Sequence, residues 1–247
     1  MDDAEAAYAR AIAQPPTDLR TRIALDRVRR QLGLLGDEPA QYEQLAALAA
    51  QAAGGKPLDA STQFYLSMAA LAVGKEAESD AALEAAIRLN PDADMLRQRA
   101  YAAFALGNDA VTARDAKAYL QGQVRDWETA SYVSFLGALA CRRLKQDDEA
   151  ARLLAQAGAV VAAGTWTARV LEYMQGKITA PAFLESASND GERTEVHTYV
   201  GFADALAGRR AEAIAHVRWV KDKGSRNFVE YPLAVAELAR LEGASAK

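Results

Sequence analysis

The side chains best suited to chemistry are few, and their spacing limits what each can do. His197 and His216 are the two histidines, and Cys141 is the single cysteine. One thiol forms no intramolecular disulfide and builds no cysteine-based zinc site. The two histidines fall on different expected helices with no cysteine to join them, so they read as ordinary helix-face residues. Arg142 and Arg143 flank the thiol and would lower its pKa if both faced it. Adjacent helix residues do not share a face, so Cys141 reads as a small residue buried at a helix–helix contact. Gly54-Gly55-Lys56 is only part of a phosphate loop, which also needs further glycine-loop positions, a following Ser or Thr and a preceding strand. Pro57 follows instead, which makes the segment an interhelix loop. Asp2-Asp3 and Asp147-Asp148 are acids at helix starts, where negative charge meets the positive end of the helix dipole. No catalytic set, metal site or cofactor site emerges, and the chain reads as a non-enzyme that uses no cofactor.

Clustered charge offers binding in place of catalysis. A helix expected over Asp18 to Gln31 carries Arg20, Arg22, Arg27, Arg29 and Arg30 against Asp18 and Asp26. It would suit an acidic tail or phosphates, but pairs such as Arg22 with Asp26 also make it a plain solvated face. Arg209 to Arg226 is a second mildly basic stretch, with Glu212 and Asp222 interspersed. The whole chain has 29 basic and 33 acidic residues, a net charge of −4. A general nucleic-acid binder would show a basic excess, so no nucleic-acid partner is expected.

The elements that must position these residues follow from composition and period. Of 247 residues, 57 are alanine and 26 are leucine. Both are strong helix formers, whereas strands favour β-branched and aromatic residues. The expectation is an all-α fold of closely packed helices, because small alanines leave little bulk for one thick core. No run approaches the roughly 20 apolar residues of a membrane span. The acidic start Met-Asp-Asp-Ala-Glu is unlike a signal peptide, and no lipidation cysteine lies near Met1. A soluble cytoplasmic or periplasmic protein without direct membrane insertion is expected.

A unit of about 34 residues recurs. Its clearest copy, Ala60 to Ala93, runs Phe64, Leu66-Ser67, Gly74, Ser79, Leu83, Ala86-Ile87 and Pro91. Gly74 can take the left-handed conformation that ends a helix. Ser67, Ser79 and Ala86 are small where two helix backbones approach, and Pro91 is expected to start the next helix. Tyr199 to Val220 repeats the pattern through Tyr199-Val200-Gly201-Phe202, Leu206-Ala207-Gly208 and Ala211-Glu212-Ala213-Ile214. Weaker copies carry Leu106-Gly107-Asn108-Asp109, Phe135-Leu136-Gly137-Ala138, and Trp166, Gly176 and Phe183-Leu184, with Thr179 capping a helix whose first turn holds Pro181.

This pattern resembles the tetratricopeptide repeat (TPR), which implies a right-handed α-solenoid of about six to seven antiparallel helix pairs. On that resemblance, 1–247 is a single TPR-like superhelical domain. It would comprise an orphan or capping helix at 1–16 (Ala4, Tyr8, Ala11-Ile12, Pro16), a degenerate repeat at 17–58 with Leu25, Gly33 and Tyr42, and repeats at 60–93, 94–122 and 127–160. A short repeat at 163–190, a repeat at 193–223 and a capping helix at 226–242 would complete it. The orphan helix at the start is read as the end of a longer array. The capping helix is expected to turn Phe228, Leu233, Val235, Leu238 and Leu241 inward and Glu230, Glu237, Arg240 and Glu242 to solvent, since a terminal repeat needs a polar outer face.

The last third invites a narrower comparison. Tyr173-Met174-Gln175-Gly176-Lys177-Ile178, Glu195-Val196-His197-Thr198-Tyr199-Val200-Gly201, Asn227-Phe228-Val229-Glu230-Tyr231 and Ala236-Glu237-Leu238 resemble the C-terminal part of NlpI-type bacterial TPR lipoproteins. That resemblance implies a bacterial adaptor that docks other proteins. In a TPR array the first helix of each pair lines a concave groove, which would place Phe64, Met68, Met95, Gln98, Thr198 and Phe202 on its wall. The expected function is a non-catalytic protein–protein interaction scaffold that takes a peptide or helix of a partner in that groove, with self-association through end repeats as a further expectation. The alternatives are a helical-repeat nucleic-acid binder, opposed by net acidity, and an α/α-type enzyme, which would need paired carboxylates at a pocket.

Overall fold

The computed structural model describes residues 38–53, 57–122 and 126–243. Among them are twelve helices and no strand. They are α1 (Glu38–Ala53), α2 (Ala60–Ala72), α3 (Glu76–Leu89), α4 (Asp94–Leu106), α5 (Asp109–Gln121) and α6 (Trp127–Arg143). After these come α7 (Asp147–Gly158), α8 (Trp166–Met174), α9 (Ala180–Ser186), α10 (Asp190–Leu206), α11 (Arg210–Lys223) and α12 (Glu230–Gly243). No described helix is long and apolar enough to cross a membrane. The helix expected at 1–16, the basic helix at Asp18 to Gln31 with Leu25 and Gly33, the Asp2-Asp3 pair and the Gly54-Gly55-Lys56 loop lie outside the described residues. The chain divides into two compact units between Met95 and Leu96.

In the first unit α2 packs chiefly on α3 and also on α1. The Asp59 side chain accepts from the Thr62 N–H at 2.8 Å and so starts α2. Ser67 and Ser79 are fully buried where α2 meets α3, their hydroxyls 3.1 Å apart. With Ala86 at 0% exposure, these are the small residues that the repeat pattern required. Tyr42, Leu45, Ala69 and Ala70 join α1 to α2.

The second unit gathers its core around Phe104, Phe135, Leu139, Val170, Phe183, Val196, Val200 and Phe202. Phe104 on α4 meets Phe202 on α10 edge-on, with ring centres 5.3 Å apart. Phe135 and Tyr199 make a similar contact at 6.2 Å. Arg99 on α4 and Asp115 on α5 form a buried two-pronged ion pair, 2.6 and 2.9 Å. Helices α10 and α11 approach closely at Gly201, where an added Cβ would stand 2.8 Å from Val217 Cγ1.

One turn ends five helices in the same way. Gly74, Gly107, Gly176 and Gly208 have φ of 75, 79, 72 and 74°, and Lys145 has φ 60° at the equivalent place. After each, the next backbone N–H donates to a carbonyl five residues back: Lys75 to Ala70, Asn108 to Ala103, Gln146 to Cys141, Lys177 to Glu172 and Arg209 to Asp204, all at 2.8–2.9 Å. This closure satisfies carbonyls that the ending helix leaves open. Thr179 caps α9 as expected, accepting from the Ala182 N–H, with Pro181 in the first turn.

Two local expectations need correction. Pro91 does not begin a helix; α4 starts at Asp94, whose N–H is held by the Asp92 side chain at 2.9 Å. Helix α12 turns Glu242 to solvent as expected but not Glu230 and Glu237, which are 3% and 5% exposed. Tyrosine and arginine partners inside the unit receive them.

The turn generates a stability prediction. A side chain in the left-handed region costs about 1–2 kcal/mol. Lys145→Gly should therefore stabilise the second unit by about 0.5–1 kcal/mol after the entropic cost of glycine, while Gly208→Ala should destabilise it by about 1 kcal/mol. Urea unfolding checks both, and equal midpoints for the three proteins would contradict the strain assigned here.

Candidate functional site

The side chains expected on the groove wall are mostly inside. Phe64, Met68 and Met95 are each 7% exposed, Thr198 is 0% and Phe202 1%; Gln98 is exposed. The Thr198 hydroxyl donates to the Thr194 carbonyl at 2.8 Å. Cys141 is fully buried and burial pushes its thiol up, which opposes thiolate chemistry. Asp147 and Asp148 stand in the first turn of α7.

The histidines do meet. Their Nδ1 atoms are 2.9 Å apart, and the His197 ring stacks on Trp219 with centres 4.0 Å apart. Burial holds His197 down at about 4 and lowers His216, against which Asp204 pulls. The pair is neutral near pH 7, and no group of three or more metal-ligating side chains forms among the described residues.

Helix α12 is fixed by an ionic cluster. The Arg143 guanidinium lies over the Phe104 ring at 4.3 Å, reaches Asp109 at 3.4 Å and donates to Glu237 at 2.9 Å. Arg240 also binds Glu237 and donates to the Phe104 and Ala105 carbonyls at 3.1 and 3.0 Å. Helix α12 thereby closes the C-terminal end of α4 as well as packing on α10 and α11.

Beside the N-terminal end of α12 is a cleft of about 460 Å³. Tyr132, Trp166 and Phe228 supply its aromatic surface, and Glu128, Glu192, Glu195 and Glu230 its carboxyls; Asn189, Asn227 and Val229 complete it. No Lys, Arg or His is among these lining residues. Phe228 is seated against Gly191, where an added Cβ would come within 2.3 Å of its ring. Glu195, 4% exposed, accepts from the Tyr132 hydroxyl at 2.7 Å. Glu230 accepts from Tyr199 at 3.2 Å. Burial raises Glu195 to about 7, with Tyr132 and the nearby Trp166 indole pulling the other way. Burial and the neighbouring Glu195 raise Glu230 to about 8. The Trp166 Nε1 is buried near the Glu195 carboxyl but outside hydrogen-bond geometry with it. Glu192 on the rim is held lower by donors from Ser188 and Asn189, although partial burial opposes them. A second cleft of about 450 Å³ surrounds exposed Trp127 and carries no ionisable side chain.

None of the cleft carboxyls was singled out from sequence as a binding group. The signal was present in the helical register: Glu195, Tyr199 and Phe202 share one face, as do Glu230, Leu233, Ala234 and Glu237. An acid placed on an apolar stripe is a buried acid with a partner. The chain matches no protein-family model, and no curated protein matches it.

The raised carboxyls give a pH dependence with a defined sign. From their ordinary value near 4.5 up to about 7 and 8, the folded state keeps protons that the unfolded state has lost, so stability falls as pH rises. The histidines act oppositely, adding stability as pH rises through their ordinary value of 6.5, and their contribution levels off about one pH unit above it. Unfolding free energy should therefore decline across pH 6.5–8, and Glu195→Gln/Glu230→Gln should flatten that decline. A wild-type profile flat over this window would show that the two carboxyls ionise normally.

Proposed function

We propose that this chain is a non-catalytic scaffold of the TPR type: a right-handed α-solenoid of antiparallel helix pairs that binds a peptide or helix of a partner protein. Its setting would be a bacterial multiprotein complex, as the resemblance to NlpI-type adaptors implies. The observation that supports this most is the identical left-handed closure at Gly74, Gly107, Lys145, Gly176 and Gly208, placed at about the 34-residue period of such repeats. Repeated units of this kind present extended surfaces for partners. In the second unit, α12 covers parts of α4, α6 and α10 that would otherwise face a groove. The cleft at its N-terminal end remains open to a partner there.

The paired carboxyls Glu195 and Glu230 favour one second reading, an α/α-type hydrolase using one as a general acid. Both sit almost wholly out of solvent and are engaged by tyrosine hydroxyls, which supports a binding role ahead of proton transfer to a substrate.

The test is reconstitution. Proteins crosslinked to the full chain in its native source are identified, purified and titrated against it. The expected result is a saturable, stoichiometric complex with the partner's mass unchanged on incubation. Failure of every captured protein to form such a complex removes the scaffold reading. Turnover that disappears in Glu195→Gln or Glu230→Gln establishes the hydrolase instead.

A further inference from the structure

The cleft combines three features that ask for one kind of occupant. Four carboxyl groups face it with no basic residue among its lining. Tyr132, Trp166 and Phe228 give it flat apolar surface. The Trp166 N–H is buried beside the Glu195 carboxyl without a formed hydrogen bond, and is open to a peptide carbonyl. A volume of about 460 Å³ lies within the usual range for ligand sites, about 300–1,000 Å³, and admits one long side chain with its backbone at the mouth.

We propose that this cleft receives an arginine side chain presented by an extended segment of the partner protein, an assignment that rests on the scaffold reading above. A guanidinium stacks on aromatic faces and offers five donors in a planar fork, enough to bridge Glu195 and Glu230 while its stem lies along Tyr132 and Phe228. Lysine brings charge without that plane or fork. The carbonyl beside the arginine accepts from Trp166, and Glu128 and Glu192 at the rim draw the cation in.

Binding is coupled to protons. The groups that face the buried pair are Glu128 and Tyr132 on α6, Trp166 on α8, Glu192 and Tyr199 on α10, and Tyr101 on α4; the last raises Tyr199 and is itself raised by burial and by Glu230. Arg97 is near Tyr101 and lowers it. A guanidinium favours the ionised form of both glutamates, so its entry expels protons and affinity rises with pH.

The test follows the Trp166 indole N–H resonance of the ¹⁵N-labelled full chain, assigned with Trp166→Phe. The probes are blocked Ala-Arg-Ala, its lysine and citrulline counterparts, and free arginine amide. The arginine peptide should give a saturable shift, bind about tenfold more tightly than the lysine peptide, and gain about tenfold in affinity between roughly pH 6 and pH 9. The citrulline peptide should produce no shift. Glu195→Gln/Glu230→Gln should abolish binding while retaining the fold, read from its unfolding midpoint. If that variant does not fold, the exposed-rim variant Glu128→Gln should still weaken binding about threefold.

Equal shifts from the arginine and citrulline peptides, or no saturable shift from arginine at any pH, would overturn the proposal. Tighter binding of free arginine amide than of the peptide would overturn the partner-segment origin. A reconstituted partner complex that survives Glu195→Gln/Glu230→Gln removes this cleft from the interface and leaves the scaffold standing. Absence of any such complex removes the scaffold itself.

Discussion

The second unit depends on burying Glu237 of α12 against arginine. Glu237 sits 5% exposed beneath Arg143 and Arg240. A carboxylate taken out of water at that depth is tolerable only with its counter-charge in place, and removing one partner of such a pair typically costs about 3–5 kcal/mol. Arg143 is itself held by Asp109 and by the face of Phe104. The cluster therefore ties the last helix to the ends of α4 and α6 and the start of α5. The N-terminal end of α12 is held separately, by Phe228 against Gly191 and by Glu230 with Tyr199.

Alanine-rich packing explains why ionic and hydroxyl contacts bear so much of this burden. Ala100, Ala103, Ala116, Ala138, Ala140 and Ala213 are at 0% exposure, so helices approach closely but gain little apolar area per residue. Close approach specifies separation without specifying register. Directional contacts supply register: Arg99 with Asp115 between α4 and α5, Ser67 with Ser79 between α2 and α3, and Arg209 with Asp204 at the turn after α10. The aromatic contacts Phe104–Phe202 and Phe135–Tyr199 add bulk where α4 and α6 meet α10.

At the cleft this scheme leaves charge unbalanced. Glu237 receives two arginines, whereas Glu195 and Glu230 have neutral donors beside them, chiefly the Tyr132 and Tyr199 hydroxyls. A neutral donor stabilises a carboxyl without supplying the positive charge that ionisation in a buried setting demands. The two groups are raised for that reason, and the same shortage gives the cleft its preference for a cation.

Local rules determined a good deal of this molecule. Alanine and leucine content dictated helices. Glycine at Gly74, Gly107, Gly176 and Gly208 dictated where helices end, because only a residue without Cβ enters the left-handed region freely. Small residues at Ser67, Ser79 and Ala86 marked where backbones approach, and Thr179 with Pro181 marked a helix start. Each of these is decided within a few residues, by φ, by a cap or by side-chain size. Tertiary structure decided what lies between elements distant in the chain. It put His197 against His216, drew Glu230 and Glu237 inward from a helix expected to be polar outside, and enclosed Phe202 and Thr198 where an open wall was expected. The first depends on how α10 packs on α11 and the others on which face of α12 meets α4, α6 and α10, and a helical stripe of acids and leucines is compatible with solvent or with arginine until Arg143 and Arg240 are brought beside it.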